Sequence, residues 1–239
     1  FLFILSSSLI PLLQREFAVE IKNKNFEKVK EIYKIFSQLL FSISVFFGSF
    51  IAANSKSIIT IIAGKEYLEA HFILVLLIFY NIYRTKSHFA MTFFYAMDDT
   101  SGLRNNNIIT YSVAIPLAFF LIYDGTYFGL GLGSIGLSIK LIIAQHIGLV
   151  LMLKKINETF KENILNMYLK DLLFFGLCMA IAMLSKYLIS DQLSLTVMMI
   201  ISFILYLVLV SLLCVIFPHL LGMNKVTFYK YFYSTQAKS

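Results

Sequence analysis

Residues 68–97 read LEAHFILVLLIFYNIYRTKSHFAMTFFYAM. The run is far longer than a β-strand and lacks the strict two-residue alternation of one. A helix needs about 20 apolar residues to cross the hydrocarbon of a bilayer. A membrane-barrel strand needs only about 10, with a period of two. In hydrocarbon every backbone N–H and C=O must be bonded within the protein, and a helix achieves this alone. Residues 68–97 therefore predict a transmembrane helix. Five further runs have the same character: 35–53, 106–123, 129–153, 167–189 and 193–217. Residues 1–13 are apolar but short, and Phe1 is not a starting Met. With no basic segment before them they do not read as a signal peptide. They predict the tail of a seventh span, entered mid-helix, with an N-terminal part of the same protein upstream. The predicted class is an all-α polytopic transmembrane helix bundle, with about six full spans and a partial N-terminal one.

Composition points the same way. Hydrophobic residues make up 59% of the chain, charged residues 14%, and the mean hydropathy is +0.81. A soluble domain carries about 25% charged residues, so this chain has too little polar surface to face water on all sides. Its two cysteines, Cys178 and Cys214, sit in apolar runs and read as small hydrophobes.

The net charge of +7 is distributed by loop. Fourteen basic residues, among them Lys22, Lys24, Lys28, Arg104, Lys154 and Lys225, fall on one side of the predicted spans. Three fall on the other: Lys56, Lys65 and Lys186. Short positive loops stay cytoplasmic, so the first loop and the C-terminus are expected in the cytoplasm of a cell whose inner (plasma) membrane holds the chain. The basic excess also suits anionic lipid at that face. It does not indicate nucleic acid, which would need a basic face on a folded soluble domain. Residues 25–36 read as a short amphipathic helix lying in the interface, with Phe26, Val29, Tyr33 and Phe36 on one face. The tail 227–233 reads as interfacial too. Without Trp, the aromatic belt falls to Tyr67, Tyr123, Tyr127, Tyr168 and Tyr187.

Within 68–97, Asn81, Arg84, His88, Thr92 and Tyr95 keep to an arc of about 80° at 100° per residue. A charge in mid-bilayer costs several kcal/mol unless it meets water or a partner. The stripe is therefore expected to face a cavity, with Arg84 as the leading ligand contact. The structural alternatives are an Arg bonded to carbonyls of a neighbouring helix, or a shorter span with Arg84 snorkelling to its edge. Lys86 points about 140° away from Asn81 and is expected to snorkel or to pair elsewhere. Lys140 continues a face of Gly129, Gly133, Gly136 and Ala144. Small residues at that spacing let helices approach closely, so that face is expected to pack and to carry Lys140 into the bundle. The competing reading has its stem reaching the interface.

Other signals are weaker. Gly131-Leu-Gly-Ser-Ile-Gly136 matches G-x-G-x-x-G but opens an apolar run instead of following a strand, so no dinucleotide cofactor is expected. The four His are dispersed and suggest no metal. Asp98 and Asp99 read as a solvated loop start. No catalytic residue emerges.

Several segments together resemble the polysaccharide exporters (O-antigen type flippases) of the multidrug/oligosaccharidyl-lipid/polysaccharide flippase superfamily. They are Leu9-Ile-Pro-Leu-Leu13 followed by Asn23-Lys-Asn-Phe-Glu-Lys-Val29, then Ile61-Ile-Ala-Gly-Lys-Glu-Tyr-Leu-Glu-Ala70. Tyr95-Ala-Met-Asp-Asp-Thr-Ser-Gly102 leading into Asn105-Asn-Asn-Ile108 follows, and last the stretch 131–140. The likeness covers about residues 5–155, and it is weak over 167–217. It implies the C-terminal half of a flippase bundle in 1–155, with two additional helices and a cytoplasmic tail in 156–239. It implies, too, a non-enzymatic transporter of undecaprenyl-diphosphate-linked oligosaccharide, working by alternating access with a missing N-terminal half. Arg84, Lys140, Asn81 and His88 would line the substrate site, with no cofactor. The rival readings are a membrane-embedded glycan polymerase or acyltransferase, a drug exporter of the same superfamily, and a non-transporting scaffold subunit. An enzyme would need a sizeable outer loop or intramembrane His/Asp pairs. A drug exporter would favour acidic walls for cationic cargo.

The charge bias makes topology testable. In cells, single cysteines placed at Asn105 or Lys154 should resist a membrane-impermeant thiol reagent, and those at Lys56 or Ser190 should react. Reaction at 154 but not at 56 would reverse the orientation.

Overall fold

A computed structural model of the protein describes residues 2–125, 128–161, 164–189 and 194–218. The described residues form helices and no strand. Their order is α1 (Leu2–Lys22), α2 (Phe26–Ala53), α3 (Ser55–Ile62), a 3₁₀ turn (Lys65–Ala70), α4 (His71–Ala96), α5 (Thr100–Ile122), α6 (Gly133–Phe160), α7 (Ile164–Tyr187) and α8 (Leu195–Ile216). Six segments, based on α2 and α4–α8, are long and apolar enough to cross a membrane. The chain is thus an all-α, multi-pass membrane bundle, as its hydropathy predicts. Ser190 and the tail 227–233, which carried expectations above, lie outside the described residues, as does Tyr127.

Short polar turns set where the helices stop. Glu20 near the end of α1 bonds the side chains of Asn25 and Lys28, at 3.1 and 2.5 Å. Asn25 caps α2, whose first turn carries Glu27 against the helix dipole. Asp98 takes the left-handed conformation just past α4, with φ 56°, where Asp is among the few tolerated residues. Asp99 then caps α5, accepting from the Gly102 N–H at 2.9 Å. It also lies 3.4 Å from Lys155 on α6. The Gly102 N–H, helped by Ser101 and Lys155, holds the Asp99 carboxyl below the usual carboxylate range.

α4 is the hub and packs against α1, α2 and α6. With α2 the contact is close because α2 offers Ser44, Gly48 and Ala52 at four-residue spacing. A Cβ on Gly48 would lie 2.7 Å from Ile82 Cδ1, so a side chain there would make Ile82 shift. Near the α4–α5 turn, Phe17, Tyr33, Phe89, Phe93 and Phe160 join α1, α2, α4 and α6 in an aromatic cluster. Its Tyr33 centroid is 5.9–6.1 Å from three of the other rings. Such edge-on pairs add about 0.5–1.5 kcal/mol each beyond burial.

Two sequence expectations change here. Residues 25–36 are no separate interfacial helix but the first turns of α2. Val29 and Tyr33 are buried in the bundle because α1, α4 and α6 supply the aromatic cluster that covers them. The glycine face also divides. α6 begins only at Gly133, so Gly129 sits in the preceding loop at φ 130°, against the Tyr123 carbonyl. Gly133 faces open space at φ 51°, and only Gly136 touches another span, its Cβ position 2.6 Å from the Leu121 carbonyl oxygen of α5. Helical periodicity does not extend past the start of the helix.

α7 and α8 pack on each other and on α2. Lys186 donates to the Ala53 carbonyl at the end of α2 over 3.1 Å, a cation at a helix C-terminus. Tyr206 on α8 donates to the Phe46 carbonyl over 2.8 Å. Deeper in the bundle Lys86 of α4 forms an ion pair with Asp171 of α7, the two side chains 3% and 0% exposed. The Lys86 ammonium also lies 4.7 Å from the Phe41 ring centroid.

Two outcomes follow from these ties. Lys86→Met strands a buried carboxylate and should cost about 3–5 kcal/mol, while adding Asp171→Leu should restore most of it. Unfolding of the purified protein in detergent reads this, and a single variant within 1 kcal/mol of the parent would contradict it. Asp99→Ala should cost about 1 kcal/mol through the lost cap. Because folding lowers the Asp99 carboxyl pKa, that difference should be full above pH about 4 and vanish as pH falls through the lowered value.

Candidate functional site

α4 carries five successive polar residues, Arg84, Thr85, Lys86, Ser87 and His88, in the middle of an apolar span. Each finds its own company. Thr85 meets Ser44 of α2 at 3.3 Å, Lys86 meets Asp171, and Ser87 accepts a short hydrogen bond from Gln145 of α6. Arg84 and His88 turn toward α5 and α6. There they line a cavity of about 380 Å³ between α4, α5 and α6, within the range of ligand pockets.

Lys140 of α6 lines the same cavity. It is half-buried, as its place one turn past Gly136 requires. Arg84 lies along α4, its Cζ 5.7 Å from the Tyr80 ring centroid and its Nε donating to His88 Nε2 over 3.3 Å. His88 Nε2 acts as acceptor in that bond, which assigns the ring proton to Nδ1. Tyr80 and His88, one turn on either side, thus hold the guanidinium along the cavity wall. A flat, delocalised cation with several donors suits phosphate oxygens, and a Lys beside it adds a point charge. Among the described residues no Asp or Glu lines the cavity.

The sequence stripe is only partly one wall. Asn81 does not line the cavity: its Nδ2 donates to the Leu77 carbonyl one turn back, at 2.8 Å. Back-bonding to its own helix meets its polar need without a neighbour. Thr92 does likewise with the His88 carbonyl at 2.8 Å, and Tyr95 lies further along. Several polar residues absent from the sequence expectation share the lining, among them Asn106, Thr110 and Gln145. Asn106 is 9% exposed, and its Oδ1 and the Thr110 Oγ1 are buried without a hydrogen-bond partner among the described residues. A polar ligand in the cavity would meet that need. Their four-residue spacing on a span was the available signal, since polar residues one turn apart share a helix face. Among the described residues no group of His, Cys, Asp or Glu is arranged to hold a metal ion.

No protein-family model, curated protein or solved structure matches the chain.

Proposed function

We propose that the chain moves an anionic, lipid-linked substrate across the membrane, as part of a flippase for undecaprenyl-diphosphate-linked oligosaccharide in surface polysaccharide synthesis. The observation that carries this reading is the convergence of Arg84 and Lys140 on one cavity inside apolar spans, with no acidic residue among the described residues of its lining. A diphosphate cannot enter hydrocarbon unaided except at high cost. Fixed cations in a polar cleft offset that cost. The unpartnered Asn106 and Thr110 oxygens offer further contacts to sugar hydroxyls. A cation exporter would want carboxylates in this place, so the cationic wall favours anionic cargo.

In this reading Arg84 and Lys140 grip the diphosphate, His88 keeps the guanidinium aimed, and Asn81 stands outside the first contacts. Binding stays moderate, because the lipid must leave on the other side. Alternating access releases it there, with an N-terminal half of the same protein closing the cavity. No step breaks a bond in the substrate, and no cofactor is required. The membrane is the inner (plasma) membrane, with the α4–α5 turn and the C-terminus cytoplasmic. The basic loop bias supports that orientation.

The test is export of the lipid-linked sugar in cells making the full-length protein, with membrane insertion checked in parallel. Arg84→Ala and Lys140→Ala should each lower export about tenfold or more, the loss of a charge-assisted bond of about 1.5–3 kcal/mol. Arg84→Lys should rescue little if paired donors matter, and nearly fully if charge alone does. Normal export from Arg84→Ala at normal protein level would remove Arg84 from the mechanism.

A further inference from the structure

A second, shallow surface groove, of about 590 Å³, adjoins the first cavity. It lies between the end of α4 and the first half of α5, and the two share Asn107 and Tyr111. Its own residues include Tyr95, Thr100, Arg104 and Ser112. Tyr95 and Tyr111 are 48% and 62% exposed, large for tyrosines in a packed bundle. Arg104, Asn107 and Ser112 are exposed too, on a helix long and apolar enough to span. Polar side chains on such a helix need water or a polar ligand, not acyl chains. Pro116 adds one more acceptor. It has no N–H, so the Ser112 carbonyl lacks its usual donor one turn on.

The chemistry of this groove differs from that of the first cavity. The first holds two cations and a histidine. Set among Leu103, Ile108 and Ile115, the second offers two aromatic faces, an amide, hydroxyls, one guanidinium and a backbone carbonyl without its i+4 donor. Flat aromatic rings pack against the apolar C–H face of a pyranose, and the mixed donors and acceptors match its hydroxyls. We propose that the groove is a glycan subsite, holding the first sugars of the substrate while Arg84 and Lys140 hold its diphosphate. This rests on the anion reading above. The shared wall of Asn107 and Tyr111 makes the two subsites continuous. The sugars would then point toward the α4–α5 turn, and the diphosphate would sit deeper between α4, α5 and α6.

The experiment measures binding to full-length protein in lipid nanodiscs. The probes are geranylgeranyl diphosphate and a panel of the same lipid diphosphate carrying a mono- or disaccharide. At least one glycosylated probe should bind about tenfold tighter than the bare one. Tyr95→Ala should abolish that gain and leave geranylgeranyl diphosphate binding within about twofold. Tyr95→Phe, which keeps the ring, should keep the gain. Lys140→Ala should weaken every probe alike. A panel with no gain, or a gain indifferent to Tyr95→Ala, overturns the glycan subsite. If Lys140→Ala still weakens the bare lipid diphosphate, the anion site survives that result. Failure of geranylgeranyl diphosphate to bind, or binding indifferent to Lys140→Ala, overturns the anion reading and the glycan subsite with it.

Discussion

Five adjacent polar side chains in the middle of an apolar helix set the constraint on which this bundle depends. Residues 84–88 advance by 100° each, so together they point all round α4. The cations among them, Arg84 and Lys86, cannot face lipid without a penalty of several kcal/mol. A helix with such a belt must be surrounded by partners, and α4 is: α2 supplies Ser44, α6 supplies Gln145, α7 supplies Asp171. The remaining arc, that of Arg84 and His88, opens on the cavity. The central place of α4 and the location of the cavity are two results of one local sequence.

The buried pair and the cavity are therefore unlike in kind. Lys86 is neutralised within the protein and shielded from solvent, which serves cohesion between α4 and α7. Lys140, by contrast, is half-buried on a wall with no acidic side chain among the described residues. Charge that is matched inside the fold contributes little to recognition. Charge left facing a cavity is what a ligand meets. The same distinction separates Asn81, satisfied by its own helix, from Asn106, whose carbonyl oxygen is not.

Hydropathy made the spans legible, and 100° spacing made the direction of Arg84 and His88 legible. Angle alone says which way a side chain points and not what it meets, so Lys86 could be set apart from the stripe while Asp171, 85 positions away, stayed unseen. Asn106 and Thr110 were hidden for a related reason. Both fell inside the predicted span 106–123, but spacing alone does not say that their oxygens lack partners inside α5. Tyr33 went to the wrong environment because an amphipathic face looks the same whether lipid headgroups or other helices cover it. Gly133 was placed on a packing face by a period that had not yet begun.

The Lys86–Asp171 pair also bears on how the protein is made. The lysine leaves the ribosome 85 residues before its carboxylate. At about 5–20 residues per second, roughly 4–17 seconds separate them. Through that interval α4 carries an ammonium with no counter-charge, a poor candidate for settling in lipid by itself. Its final burial has to await α7, so the last third of the chain governs when the middle of the bundle closes. Biogenesis then runs against the order of synthesis, with the hub helix among the last to be locked in place.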